Sequence, residues 1–138
     1  MNDYKFQIAE FFIRSFTGIL FLFQGYDKLF KIKIPGVAEV FIQDAERQHI
    51  PMFLIKAVAW YTSLVEFAGG ILLLFGAFTN YALYALGLDL LLVCFAFSYL
   101  NALWDMKYVF PRFILLVILL LLPESYNYFS ADHLFGLK

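Results

Sequence analysis

Three ionisable side chains, Arg14, Glu66 and Asp89, lie inside long apolar runs of this 138-residue chain. A charge at the centre of a bilayer costs about 2.5–3.5 kcal/mol on insertion scales, so such a group needs a partner, water or a task. Counted at ~1.5 Å per residue from the non-cytoplasmic helix ends, Arg14 lies ~9 Å deep, Glu66 ~14–18 Å and Asp89 ~13 Å, and a long Arg stem lets all three meet. Two carboxylates and one guanidinium in a low-dielectric space can bind a polar ligand and can accept or release a proton. Gln24, Tyr61 and Thr62 stand where they can add hydrogen bonds. The alternative is an Arg–carboxylate clamp that locks three helices together, a common use of polar contacts between membrane helices. Two acids against one base leave a surplus charge that a clamp does not need.

Helical phase turns these groups inward. Arg14, Gly18, Phe21, Gly25 and Lys28 share one face of the first apolar run, and the glycines allow a second helix to come close. Ala59, Ser63, Glu66, Gly70 and Leu73 share a face of the second run, as do Ala82, Ala85, Asp89 and Ala96 on the third. A second polar group, Asp27, Lys28, Asp105, Lys107 and Arg112 with Trp104, falls near the opposite membrane surface. Snorkelling and head-group contact account for it, with a quinone head-group or anion site as the other reading.

The elements that must position these residues follow from length and hydropathy. The chain is 63% apolar and 21% aromatic, well above the ~45–50% apolar usage of soluble domains. A bilayer core of ~30 Å takes ~20 helical residues. Residues 8–30, 52–78 and 81–103 satisfy this, and 109–122 is a shorter fourth segment that thins the bilayer or recruits interfacial neighbours. The predicted fold is an all-α membrane protein, a single four-transmembrane-helix bundle over 1–138. Residues 31–51 carry Val37, Val40, Phe41 and Ala45 opposite Glu39, Gln43, Asp44, Glu46 and Arg47. This spacing predicts a short amphipathic helix, lying either on the membrane surface or docked on the soluble side. Basic residues crowd the first and third loops, which puts both termini on the non-cytoplasmic side.

The sequence also excludes. A net charge of −1 offers no nucleic-acid footprint. The single cysteine, Cys94, permits neither an internal disulfide nor a CxxC motif. His49 and His133 lie outside the spans, so no haem or metal ligation is expected within the bundle. A faint echo relates residues 14–23 to 66–75, with opposite charges at matching positions; duplication or low complexity both produce such a pattern.

The stretch RSFTGILFLFQGYDKLF (14–30), the His49-Ile-Pro51 before the second helix, and EFAGGILLLFGAFT (66–79) together resemble the DoxX-like family of small four-helix membrane proteins. The resemblance covers most of the chain and is strongest through the first two helices. It implies an inner-membrane protein of bacteria or archaea, related to the DoxD subunit of thiosulfate:quinone oxidoreductase and to membrane partners of redox and thiol-stress proteins. By motif position it carries the family's first-helix base onto Arg14, its second-helix acid onto Glu66 and its lysine after the glycine onto Lys28. Ser130-Ala-Asp132 resembles the family's closing Ser-x-Asp, whereas Pro123-Glu-Ser-Tyr126 lacks its usual glycine turn. That departure and the missing cysteine pair argue against intrinsic thiol chemistry.

The reading these observations favour is a membrane subunit of a larger respiratory or redox complex. It has no independent catalysis and no covalently bound cofactor, and it binds a quinone around Arg14, Glu66, Asp89, Gln24 and Lys28. Its expected contacts are lipid and other subunits or further copies of itself. The alternatives are a small proton-coupled or anion transporter acting as a homo-oligomer, and a purely structural assembly protein.

Overall fold

The first apolar run forms α1, Asp3–Tyr26, in a computed structural model that describes residues 3–100, 107 and 109–137. α1 runs into a single wide π turn, Asp27–Lys31, closed by the Ile32 N–H donating to the Asp27 carbonyl at 2.8 Å. The remaining helices are α2, Lys33–Arg47; α3, Met52–Phe75; α4, Thr79–Leu100; α5, Val109–Leu121; and α6, Ala131–Phe135. A 3-10 turn at Glu124–Tyr126 leads from α5 toward α6. Among the described residues the fold is entirely helical.

The helix ends are set by local chemistry. α3 stops at Gly76, whose φ of +64° suits a residue without Cβ. The Gly76 N–H donates to Leu73 O and the Ala77 N–H to Leu72 O, the paired bonds of a Schellman ending. The second helix is therefore three residues shorter than the expected 52–78. α4 begins earlier than expected, at Thr79, because Asp132 caps it from a distance. Its two carboxylate oxygens accept from the Phe78 N–H at 2.6 Å and the Thr79 N–H at 2.8 Å. Residues 101–103, the expected end of the third helix, lie outside the described residues.

α1 and α3 pack most closely, and they run antiparallel. A Cβ on Gly18 would lie 2.8 Å from Leu74 N, and one on Gly25 or Gly70 would collide with the backbone of Phe67 or Leu22. Three glycines thus bring the two backbones together, as small residues do in membrane helix pairs. α4 and α5 complete the core around Phe21, Leu73, Leu86, Leu90 and Leu116. α5 buries Val109, Arg112, Leu116 and Leu119, so it is a working wall of the core rather than a peripheral helix. α2 seats Ala38 and Ala45 against Ile55 of α3, while its Phe41 ring meets Phe97 of α4 at 5.2 Å.

The outside of the bundle is apolar as well. Phe12, Phe16, Phe23, Phe53, Leu88 and Phe95 are all exposed. Less than half of each apolar window in α1, α3 and α4 is buried within the protein. Helices apolar on both faces require an apolar solvent. Three helices, spanning Tyr4–Lys31, Met52–Phe75 and Thr79–Leu100, are long and apolar enough to cross a membrane; α5 is apolar but has only 13 residues. The chain is a multi-pass membrane protein whose outer surface contacts lipid.

Candidate functional site

The buried charges fall into two clusters, not one. Arg14 belongs to the first, at the end of the bundle that carries both termini. It is fully buried, and its guanidinium donates from Nε to Glu10 Oε1 at 2.7 Å, from Nη1 to Leu73 O at 2.8 Å and from Nη2 to Phe129 O at 2.5 Å. Leu73 O is one of the carbonyls at the closing turn of α3, and Phe129 lies just before α6. Arg14 thus fastens α1, the end of α3 and the segment entering α6 at one point. Gly76 leaves the room for this, since a Cβ there would lie 2.7 Å from Arg14 Nη1. Ser130 accepts from the His133 N–H at 3.2 Å to start α6, which holds Asp132 at the head of α4. The Ser130-x-Asp132 pair is accordingly a structural latch.

The second cluster lies deeper, toward the opposite end. Glu66 of α3 is 1% exposed and pairs with Lys28 Nζ at 2.6 Å, with Arg112 Nη1 at 3.6 Å. Arg112 also donates to Gln24 Oε1 and lies over the Phe21 ring at 5.9 Å. Asp89 of α4 is fully buried within electrostatic reach of Glu66, Lys28 and Arg112, yet neither of its carboxylate oxygens has a hydrogen-bond partner among the described residues. Four α-helices and the π turn contribute: Gln24 from α1, Lys28 from the π turn, Glu66 from α3, Asp89 from α4 and Arg112 from α5. Two acids face two bases, with an amide beside them. Such a site offers donors and acceptors at once, in a place from which water is largely excluded.

Of the five residues expected to bind a ligand, the structure gathers Gln24, Lys28, Glu66 and Asp89, and it separates Arg14 from them. The reason is register and side-chain direction. Gly25 of α1 sits beside Phe67, next to Glu66, and at ~1.5 Å per residue about 16 Å of helix separates it from Arg14. Helical side chains also lean toward their own N-terminus, which carries Arg14 away from Glu66 and toward Glu10, one turn back. The same rule carries Lys28 inward. Depths counted from helix ends miss this, because α1 projects beyond the end of α3.

Two contributors escaped the sequence reading. Glu10 carried a usable signal, an i,i+4 acid–base pair with Arg14 inside an apolar run. Arg112, expected to snorkel at the surface, is 8% exposed; it faces the core and replaces Arg14 as the base of the inner cluster. Tyr61 turns out to the apolar exterior, and the Thr62 hydroxyl donates to Ala59 O. In the expected surface group, Asp27 pairs with Lys31 at 2.7 Å, while Trp104 and Asp105 lie outside the described residues. The inner cluster spans both the α1–α4 portion and the shorter α5 that follows. The DoxX family model matches residues 9–99, from α1 to the end of α4. No curated protein and no solved structure shows a significant match to the chain.

Proposed function

The chain belongs to the DoxX family, and on that premise we propose that it is an inner-membrane subunit of a larger redox complex that binds a quinone head group at the inner cluster. The observation that carries this reading is Asp89, a buried carboxylate whose two oxygens find no donor among the described residues, beside two cations and a second acid. A native buried polar group without a partner calls for a ligand, a water or a functional reason.

The residues present fit a quinone head. A quinone supplies two-electron, two-proton redox chemistry when bound, and it offers carbonyl oxygens when oxidised and hydroxyls when reduced. Lys28 and Arg112 supply the donors that carbonyl oxygens require, and Asp89 supplies an acceptor for a hydroxyl. Glu66 holds both bases in place by pairing with each. Phe21 and Leu86, buried in the same core, exclude water and present apolar walls. The chain's part is to bind, orient and exchange protons at Asp89, and the electrons come from a partner subunit.

In this reading the whole chain is one domain and α5 is a fourth, thin crossing, completed at the interface by the turn at Glu124–Tyr126. Both termini lie on the non-cytoplasmic side, since the α1–α2 junction carries Lys28, Lys31 and Lys33. The test is extraction of the native protein in mild detergent, with mass spectrometry of bound proteins and lipids. Stoichiometric redox subunits and retained quinone are expected. A protein that comes out alone and quinone-free refutes the reading and favours transport by a homo-oligomer.

A further inference from the structure

At the end of the bundle opposite the termini, a groove of about 470 Å³ lies between the π turn, the start of α2 and the first turns of α3. It is distinct from the inner cluster, since none of Lys28, Glu66, Asp89 and Arg112 lines it. Two other bases do, Lys33 from α2 and Lys56 from α3, and no carboxylate among the described residues stands on its walls. The rest of the lining is apolar, with Phe30, Ile34, Pro35 and Trp60 as its main surfaces.

The neighbouring lysines are already engaged, Lys28 by Glu66 and Lys31 by Asp27. Lys33 and Lys56 are exposed and form no ion pair or hydrogen bond among the described residues. A lysine that only snorkels reaches water from its own helix and needs no concave surface beside it. Here two ammonium groups from different helices line one groove, and like charges repel unless an anion lies between them. Lys33 also has a φ of +62°, a left-handed conformation that is uncommon for a lysine. Strain held at one residue is a reason to look for a task at its side chain.

The order of polarity along the helices fits one kind of anion. Lys33 follows the span Tyr4–Lys31, and Lys56 lies near the start of the span Met52–Phe75, so both ammonium groups stand at head-group level. Trp60 is one turn further into α3 on the same side as Lys56, ~6 Å deeper, and Phe30 lies within the first span. Both rings are exposed, and Phe30 is held in place by Tyr26 and Phe67 at 4.9 and 5.8 Å. Cations above apolar walls match a molecule with an anionic head and a hydrocarbon tail, whereas a free phosphate would leave the walls bare. We infer that this groove holds an anionic phospholipid, with its phosphate between Lys33 Nζ and Lys56 Nζ and an acyl chain along Trp60 and Phe30. A zwitterionic head group brings its own cation toward the two lysines and binds less well.

The test places the full chain in nanodiscs of phosphatidylglycerol and phosphatidylcholine with matched acyl chains, and native mass spectrometry measures the lipid that stays bound. Retention of phosphatidylglycerol in preference to phosphatidylcholine is expected. A lysine near anionic lipid is worth about fivefold in affinity, so Lys56→Gln and Lys33→Gly should each cut that preference about fivefold. Glycine also suits the left-handed backbone at position 33, so the melting temperature of Lys33→Gly should hold or rise, which separates lost binding from lost folding. Lys5→Gln makes the same charge change at an exposed position at the other end of α1 and should leave retention unchanged. The inference is overturned if phosphatidylglycerol is retained no better than phosphatidylcholine, if both groove variants retain it as the wild type does, or if Lys5→Gln loses as much as they do. Inorganic phosphate titrated into the lipid-stripped protein in detergent should show no saturable heat; saturable binding that the two groove variants abolish would overturn the lipid as occupant.

Discussion

Arg14→Leu removes the guanidinium that ties α1 to the end of α3 and to the segment entering α6. Polar contacts between membrane helices average about 0.6 kcal/mol, so losing the bonds to Leu73 O and Phe129 O amounts to roughly 1 kcal/mol. The substitution also leaves Glu10 buried without its cation, and removing one partner of a buried pair costs about 3–5 kcal/mol in soluble cores. Glu10 can relieve much of that by taking up a proton. The expected loss is therefore about 3 kcal/mol, a shift of roughly a hundredfold in the folding equilibrium. Arg14→Lys keeps the charge and loses the planar fork, so about 1 kcal/mol is expected for it. Unfolding in mixed micelles, followed by circular dichroism, measures both. The double variant Glu10→Leu/Arg14→Leu should be more stable than Arg14→Leu alone, because it buries no orphaned charge. A loss below about 0.5 kcal/mol for Arg14→Leu, or single-variant losses that simply add, would refute the clamp.

Three further outcomes follow from the same geometry. Gly70→Val drives a side chain into the backbone of Leu22 and should abolish stable folding in detergent, whereas Gly87→Ala, with open space around its Cβ, should leave thermal stability unchanged or raised by about 0.5–1 kcal/mol. Asp132→Ala removes the cap on two backbone N–H groups at the head of α4 and should cost about 1–2 kcal/mol, with faster hydrogen exchange at Phe78 and Thr79. Asp89→Asn removes a buried charge whose two oxygens accept no hydrogen bond among the described residues, so the ligand-free protein should gain about 1 kcal/mol of stability while ligand binding falls. A lower melting temperature for that variant would indicate that Asp89 serves the fold.

The three long apolar helices were legible in the sequence because apolar length and phase are local properties. Arg14, Gly18, Phe21 and Gly25 share a face and are buried, as are Ser63, Glu66, Gly70 and Leu73. The identity of the partners was not legible to the same degree. Whether Arg14 meets Glu66 depends on how far α1 slides along α3, and that offset is set by which glycine meets which backbone, a pairwise property that periodicity does not contain. The long-range cap from Asp132 to α4 likewise joins residues far apart in the chain, and it shifted the start of that helix. Arg112 was misplaced because its position near a helix start suits snorkelling, and the acids that draw it inward lie on other helices. The π turn at Asp27–Lys31, which places Lys28 beside Glu66, has no residue signature of its own.

In the proposed function the inner cluster holds the ligand and the outer one holds the helices. Quinone bound per protein, measured after mild-detergent extraction of the wild type, Glu66→Gln, Asp89→Asn and Arg14→Lys at equal folded amounts, tests it most directly. Full occupancy is expected in Arg14→Lys and loss in both Glu66→Gln and Asp89→Asn. Loss confined to Arg14→Lys, or undiminished binding in the two inner-cluster variants, would contradict it.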